Sequence, residues 1–364
     1  MTDASTRRII ASYTQESPAP MFLHGFFRSP PQNYHSTEMV EIDVQRDSDD
    51  VAIVIQDIAT GARQNELPGY VNKAFAPPIY DEEVTISSYN LMKRDFGESP
   101  YDNPQFQAKV VTAAFRGFRL AENKIRRAIE LQASQVLQTG KLTLTDAAGN
   151  ALFALDYGPR AAHFPTVGVT WGADGTTGNP LGDIAALAEV IRTNGRREPK
   201  TLIFGSTALT RFLANKALKE QFANVGLQRL QEVNPQPASR GSGATNYGRV
   251  FIGGYFYEIW SYNATYRNPQ TGLSTPYVDP DKVIMISDGA RLDCSFGAIP
   301  RVGPPDPRVG QFLPARITGP DQGIDLSTFA WLTPDGKHLK VSAGTRPLCI
   351  PTGIDEFGCL DMTA

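Results

Sequence analysis

Apolar and polar residues alternate with period two over residues 40–44, where Val40, Ile42 and Val44 share a face, and again over 51–55, with Val51, Ile53 and Ile55. The polar run RDSDD lies between them, and the pattern predicts a β-hairpin. The stretch NELPGYVNKAFAPPIYDEEVTISSYN at 65–90 is apolar enough for a core, yet Pro68, Gly69, Pro77 and Pro78 forbid a helix running through it. It reads as extended chain. The period then changes to that of a helix. Asn103 is a candidate cap, Pro104 suits the first helical position, and Thr139 and Gly140 mark the end. Between them Val111, Ala114, Phe115, Phe118, Ile125, Ile129 and Val136 form one apolar stripe, predicting an amphipathic helix of ~35 residues and ~50 Å.

After the helix, KLTLTDAAGNALFALDYG alternates on both sides of a turn containing Gly149, which predicts a second hairpin. The glycine-rich TVGVTWGADGTTGNPLGD lacks the Gly-Lys-Ser/Thr ending of a phosphate loop and reads as a loop bounding a domain. From 183 helices and strands alternate. DIAALAEVIRTNG predicts a helix capped by Asp183 and stopped by Gly195, KTLIFG a buried strand, and STALTRFLANKALKEQF a second helix capped by Ser206. A flexible NPQPASRGSGATNYG precedes the strand YFYEIWSYNATY, a turn through NPQTG, and the strand KVIMISDG. RVGPPDPRVGQFLPARITGP reads as extended, and DLSTFAWLTPDGKHLKVSAGTRPLCI as a strand pair turning at PDGK.

A chain of 364 residues, 41% apolar and 20% charged, is large enough for a sizeable core and for two domains. Its apolar runs fall far short of the ~20 residues that span a bilayer, and its first twenty residues lack the apolar centre of a signal peptide, so a cytoplasmic site of synthesis is expected. The net charge of −3 carries no basic block. Arg116, Arg119, Lys124, Arg126 and Arg127 lie mostly off the helix stripe and, with Glu122 and Glu130 as neighbours, read as a solvated side. Cys294, Cys349 and Cys359 form no CxxC pair, and the four histidines, His24, His35, His163 and His338, have no ligand spacing. No metal or cofactor is assigned. Ser206 sits on a strand-to-helix turn, but FGSTA is not G-x-S-x-G, and no acid and base pair stands out, so no catalytic residue is assigned.

The succession of PGYV, VLQTGKLTLT, LIFGSTALTRFLANKALKEQF, YEIWSYNATY and DKVIMISDGARLDCSFGAI resembles the phage lambda-type major capsid proteins over most of the chain. That resemblance implies an α+β capsid fold of tailed phages. Its expected parts are an N-terminal arm at 1–38, an extension loop at 39–90, a peripheral domain with a long spine helix at 91–162 and 316–350, and an α/β axial domain at 163–315 and 351–364. It further implies hexamers and pentamers of this chain in an icosahedral shell around double-stranded DNA, without sequence-specific binding. A hairpin arm cannot bury its own apolar side chains, so it is expected to lie across a neighbouring subunit, with Leu67, Tyr70, Val71, Phe75 and Ile79 as candidate contacts. The expected partners are a separate scaffold, a portal and a decoration protein. Lys73 is the only lysine between residues 1 and 92, and its polar context predicts noncovalent reinforcement rather than an isopeptide crosslink.

Overall fold

The computed structural model describes residues 19–35, 40–45, 70–92, 106–145, 148–223, 232–240, 243–299, 307–310 and 325–364. Strand β1 (Val40–Gln45) pairs antiparallel with β2 (Tyr70–Phe75), Val40 opposite Phe75 and Gln45 opposite Tyr70. Residues 40–45 thus pair with 70–75; the expected hairpin partner at 51–55 lies outside the described residues. β3 (Tyr80–Ser87) continues the extended reading, which ends in the short helix α1 (Ser88–Met92).

Helix α2 (Phe106–Thr139) carries the predicted stripe; Asn103 and Pro104 lie outside the described residues. Ala114, Ile125, Ile129 and Val136 are buried, whereas Phe115 is 52% exposed. The stripe runs instead through Ala114, Gly117 and Ala121, because the sheet beside the helix approaches closely there. A Cβ on Gly117 would stand 2.7 Å from Val341 Cγ2. The helix stops at Gly140, whose φ of 64° and whose neighbour Pro159, 2.5 Å from any added Cβ, leave room only for glycine. The expected hairpin follows as β4 (Lys141–Thr145) and β5 (Ala151–Asp156).

Helix α3 (Pro180–Gly195) is capped by Asn179, whose side chain accepts from Gly182 N, with Pro180 at the first position; Asp183 instead accepts from Trp171 Nε1 at 2.8 Å. After β6 (Pro199–Phe204), the predicted single helix is two, α4 (Ser206–Ala214) and α5 (Lys216–Ala223). Asn215 breaks them apart with ψ 130° and accepts from Leu218 N, starting the second. Ser206 caps nothing, since Gly205 holds the cap position. The passage expected to be flexible contributes β7 (Glu232–Arg240) and the start of β8 (Ala244–Ile252).

β9 (Tyr255–Tyr262), β10 (Thr265–Arg267), β11 (Ser274–Pro276), β12 (Lys282–Ser287) and β13 (Asp293–Phe296) follow. Of the proline-rich 301–320 only the turn α6 (Pro307–Gly310) is described. The chain closes with β14 (Ser327–Leu332), β15 (His338–Thr345), β16 (Pro347–Ile350) and β17 (Phe357–Asp361).

The central sheet runs β17-β12-β6-β9-β8-β7, antiparallel except for β6 beside β9. Period two divides its side chains between two cores. Leu202, Phe204, Val283 and Met285 meet α3 and α4, while Ile203, Ile284 and Ile286 meet the C-terminal half of α2, the segment around Phe22 and Leu23, β13 and β16. The N-terminal half of α2 lays Ala114 with Val110, Val111 and Phe118 against a second sheet, β14-β15-β3. One helix thus spans two cores, which makes the fold α+β with a common spine.

Candidate assembly surface

The β1–β2 ladder finds no third strand among the described residues. Its root, in contrast, is fixed. Pro77 is buried, and the buried guanidinium of Arg346 donates to Pro77 O from Nε at 3.3 Å and Nη2 at 3.2 Å, and to Ala298 O from Nη1 at 3.2 Å. The hydroxyl of Tyr80 accepts from Gln132 Nε2 at 2.9 Å, and burial, outweighing that bond, pushes the phenol up to about 12. β3 pairs along its whole length with β15. Of the predicted contact residues, Ile79 is 55% exposed beside this root. Tyr70, Val71 and Phe75 lie on β2, and Leu67 is outside the described residues. The exposed Leu120 lines, with Ile86, Leu91 and Ala113, a groove between α2 and the β3–α1 junction, and Tyr89, Met92 and Phe115 are further exposed apolar side chains. Exposed apolar side chains beside a groove mark candidate contact surface.

Two cations on the basic side of α2 are paired with acids within the chain. Arg126 grips Asp325 in a two-pronged pair at 3.3 and 2.8 Å and also reaches Glu122 at 3.2 Å; Lys124 meets Glu82 at 2.9 Å. Glu130 departs from expectation. It is fully buried, with Oε1 accepting from Leu23 N at 2.8 Å and Tyr262 O–H at 2.6 Å, and Oε2 from His24 N at 2.9 Å. Burial raises its pKa against the pull of those donors. A second buried carboxylate, Glu356, accepts from Arg197 Nε at 3.1 Å and from Arg291 Nε at 2.8 Å. Both knots hold distant segments together, which only the fold could reveal.

His163 and Ser206 have structural surroundings. His163 is buried between Phe357 O, 2.9 Å from Nδ1, and Asn194, 3.1 Å from Nε2. Ser206 is an exposed first-turn residue whose carbonyl accepts from Thr210 Oγ1.

The model of the phage major capsid protein E family matches residues 5–357. The chain belongs to that family. As a major capsid protein it is a shell-forming component of the phage virion, and its fold is shared with other capsid subunits. A candidate capsid protein of a prophage in E. coli CFT073 superimposes at a TM-score of 0.58 with 16% identity, over 81% of this chain and 80% of that one. The capsid of Ralstonia phage GP4 does so at 0.50 with 9% identity, over 99% and 92%. No curated protein sequence matches this capsid protein. For a capsid protein the working site is its contact surface, so the arm, its root and the groove beside the spine helix are the residues of interest.

Proposed function

We propose that copies of this capsid protein associate as hexamers and pentamers into an icosahedral shell around double-stranded DNA, each β1–β2 arm lying across a neighbour. The isolated two-stranded ladder on a fixed root supports this reading, because two strands alone are marginal in water. Each contact of standard size buries ~1,600 Å² in total. Association costs several kcal/mol of lost freedom, so single contacts stay weak while a closed shell, held by many, is stable. The net charge of −3 and the two paired cations on the basic side of α2 suit a lining that encloses DNA without gripping it. The N-terminal arm, extension loop, peripheral and axial domains follow the boundaries drawn above, and the role is structural, with no catalytic step. No described helix is long and apolar enough to cross a membrane.

A separate scaffold, a portal and a decoration protein complete this scheme, the last reinforcing the shell without a Lys73 crosslink. Electron microscopy of the chain expressed with its scaffold tests it: closed shells, tubes or hexamers are expected, and soluble monomers would refute it. Phe75→Asp places a charge on the arm, and we expect a folded subunit that fails to close shells. Normal shells from that variant would remove the arm from the interface. Wild-type virions boiled in detergent are expected to run as one band near the monomer mass.

A further inference from the structure

The register of β13 on β16 sets Cys294 directly opposite Cys349. Both are fully buried and both are free thiols. Facing residues of an antiparallel ladder alternate between pairs that exchange backbone hydrogen bonds and pairs that do not. Three observations place the cysteines in the second kind. Gly297 N donates to Arg346 O at 3.0 Å, which turns Gly297 and, two residues back, Ser295 toward β16. Cys294 N points the other way, to Arg28 O at 2.8 Å. Pro347, opposite Phe296, has no N–H to exchange. In such a pair the Cα atoms stand ~4.5 Å apart, inside the ~4.4–6.8 Å that a disulfide spans.

The sulfurs also interact. Cys349 faces the Cys294 sulfur across the ladder, and His24 stands beside the latter, its Nε2 meeting no oxygen or nitrogen partner. The Cys349 hydrogen bond first, and then His24, hold Cys294 below the ordinary thiol range against the effect of burial; the same hydrogen bond and burial push Cys349 up. A disulfide needs one sulfur to attack and the other to resolve, and the two face each other here. The neighbouring turn is more open: His24 is half-buried, and the exposed Gly25 has open space about it.

We propose that Cys294 and Cys349 form a redox-responsive cross-strand disulfide site, closed by hydrogen peroxide. The Cys294 thiolate attacks a peroxide oxygen and the O–O bond breaks. Hydroxide leaves, takes up the proton that Cys294 had released, and becomes water, while Cys294 becomes a sulfenic acid. The Cys349 sulfur then attacks the Cys294 sulfur, the S–O bond breaks, and the departing hydroxide leaves with the Cys349 proton as a second water. Two electrons pass from the thiols to the peroxide. The bond staples the β13–β16 seam and encloses the intervening β14–β15 pair in a covalent loop. Cys359, on β17 with its thiol pushed up to about 12 by burial, stays outside the reaction.

The full chain, as assembled particles or free subunits, is treated with hydrogen peroxide, unfolded, and its thiols counted and mapped. Three reactive thiols are expected to fall to one, assigned to Cys359, with the intact mass lower by about 2 Da and both changes reversed by a dithiol. Peptides carrying Cys294 and Cys349 are expected to be joined, and the oxidised protein to melt ~5–10 °C higher. Cys359→Ala is expected to close the bond as wild type does, and Cys349→Ser to stop at an oxygen adduct on Cys294, about 16 Da heavier. Three thiols persisting through oxidation of the folded wild type would overturn the proposal. So would addition of oxygen to either cysteine with no joined peptide.

Discussion

Replacing Glu130 by alanine tests the buried knot most directly. The side chain is the acceptor for two backbone N–H groups, Leu23 and His24, and for the Tyr262 hydroxyl, and all three donors lose their partner together. An unsatisfied buried donor costs ~1–3 kcal/mol. His24 N is only partly buried and recovers some hydration, and removing a carboxylate whose burial is itself unfavourable offsets a further part. The expected loss is ~3–5 kcal/mol, a large share of the ~5–15 kcal/mol that holds a typical domain folded. Glu122→Ala, on the same helix, is the control: its carboxylate is 41% exposed and pairs only at the surface with Arg126, so ~0–1 kcal/mol is expected. Tyr262→Phe removes one of three donors and is expected to fall between. Urea unfolding of dissociated subunits, followed by fluorescence of Trp260, which packs on Phe22 in the same cluster, reads the difference. Equal midpoints for Glu130→Ala and Glu122→Ala would refute the reasoning.

Gly117→Ala gains ~1 kcal/mol of helix propensity but drives a methyl into Val341, and a net destabilisation of ~1–2 kcal/mol is expected in the same assay; a more stable variant would show that the sheet yields freely. Arg346→Met strips two buried carbonyls of their donor, for an expected ~2–4 kcal/mol and faster hydrogen exchange around residues 77–81; unchanged exchange would mean that the ladder with β15 alone fixes the arm root. The raised pKa of Glu130 sets a pH dependence. Above the ordinary value of 4.5 the folded chain binds more protons than the unfolded one, so stability is full below that value and falls as pH rises through the raised one. His24, which faces Glu130 and whose pKa is also raised, adds loss of the same sign above its ordinary 6.5. Glu130→Gln is expected to flatten the lower part of this slope in unfolding measured from pH 4 to 7, and an unchanged slope would count against the assignment.

The elements legible in the sequence are those whose signal is local. The α2 stripe, the β4–β5 hairpin around Gly149 and the buried alternation of β12 each follow from a repeated spacing within one segment. Phe115 misled because hydrophobicity is a poor guide where a helix lies against a sheet at close range. There the contact belongs to Ala114, Gly117 and Ala121, and size decides which face is turned inward. The burial of Glu130, Gln132 and Ser134 had no signal at all. Their partners are Leu23, Tyr262, Tyr80, Pro347 and Tyr277, each at least 52 positions away, and a polar residue on a helix reads as solvated until such partners are known. The pairing of β1 with β2 had no such signal either, since alternation fixes which side is apolar and leaves the pairing open.

One of these long-range contacts, Gln132 with Tyr80, joins others at the arm root, and their convergence bears on how a shell closes. Gln132 holds Tyr80 from the spine helix, Arg346 holds Pro77 from the turn between β15 and β16, and β15 holds β3 over eight residue pairs. The base of the arm therefore cannot swing without breaking buried hydrogen bonds, while the β1–β2 ladder beyond it has no third strand among the described residues. A flexible arm would lose most of its contact energy to its own ordering on reaching a neighbour. An arm aimed by a rigid base loses less, so more of the apolar burial remains to favour assembly. On this reasoning the direction of the arm is set by the packing of α2, β3 and β15, and substitutions at Tyr80 or Arg346 alter shell closure without touching a residue of the proposed interface.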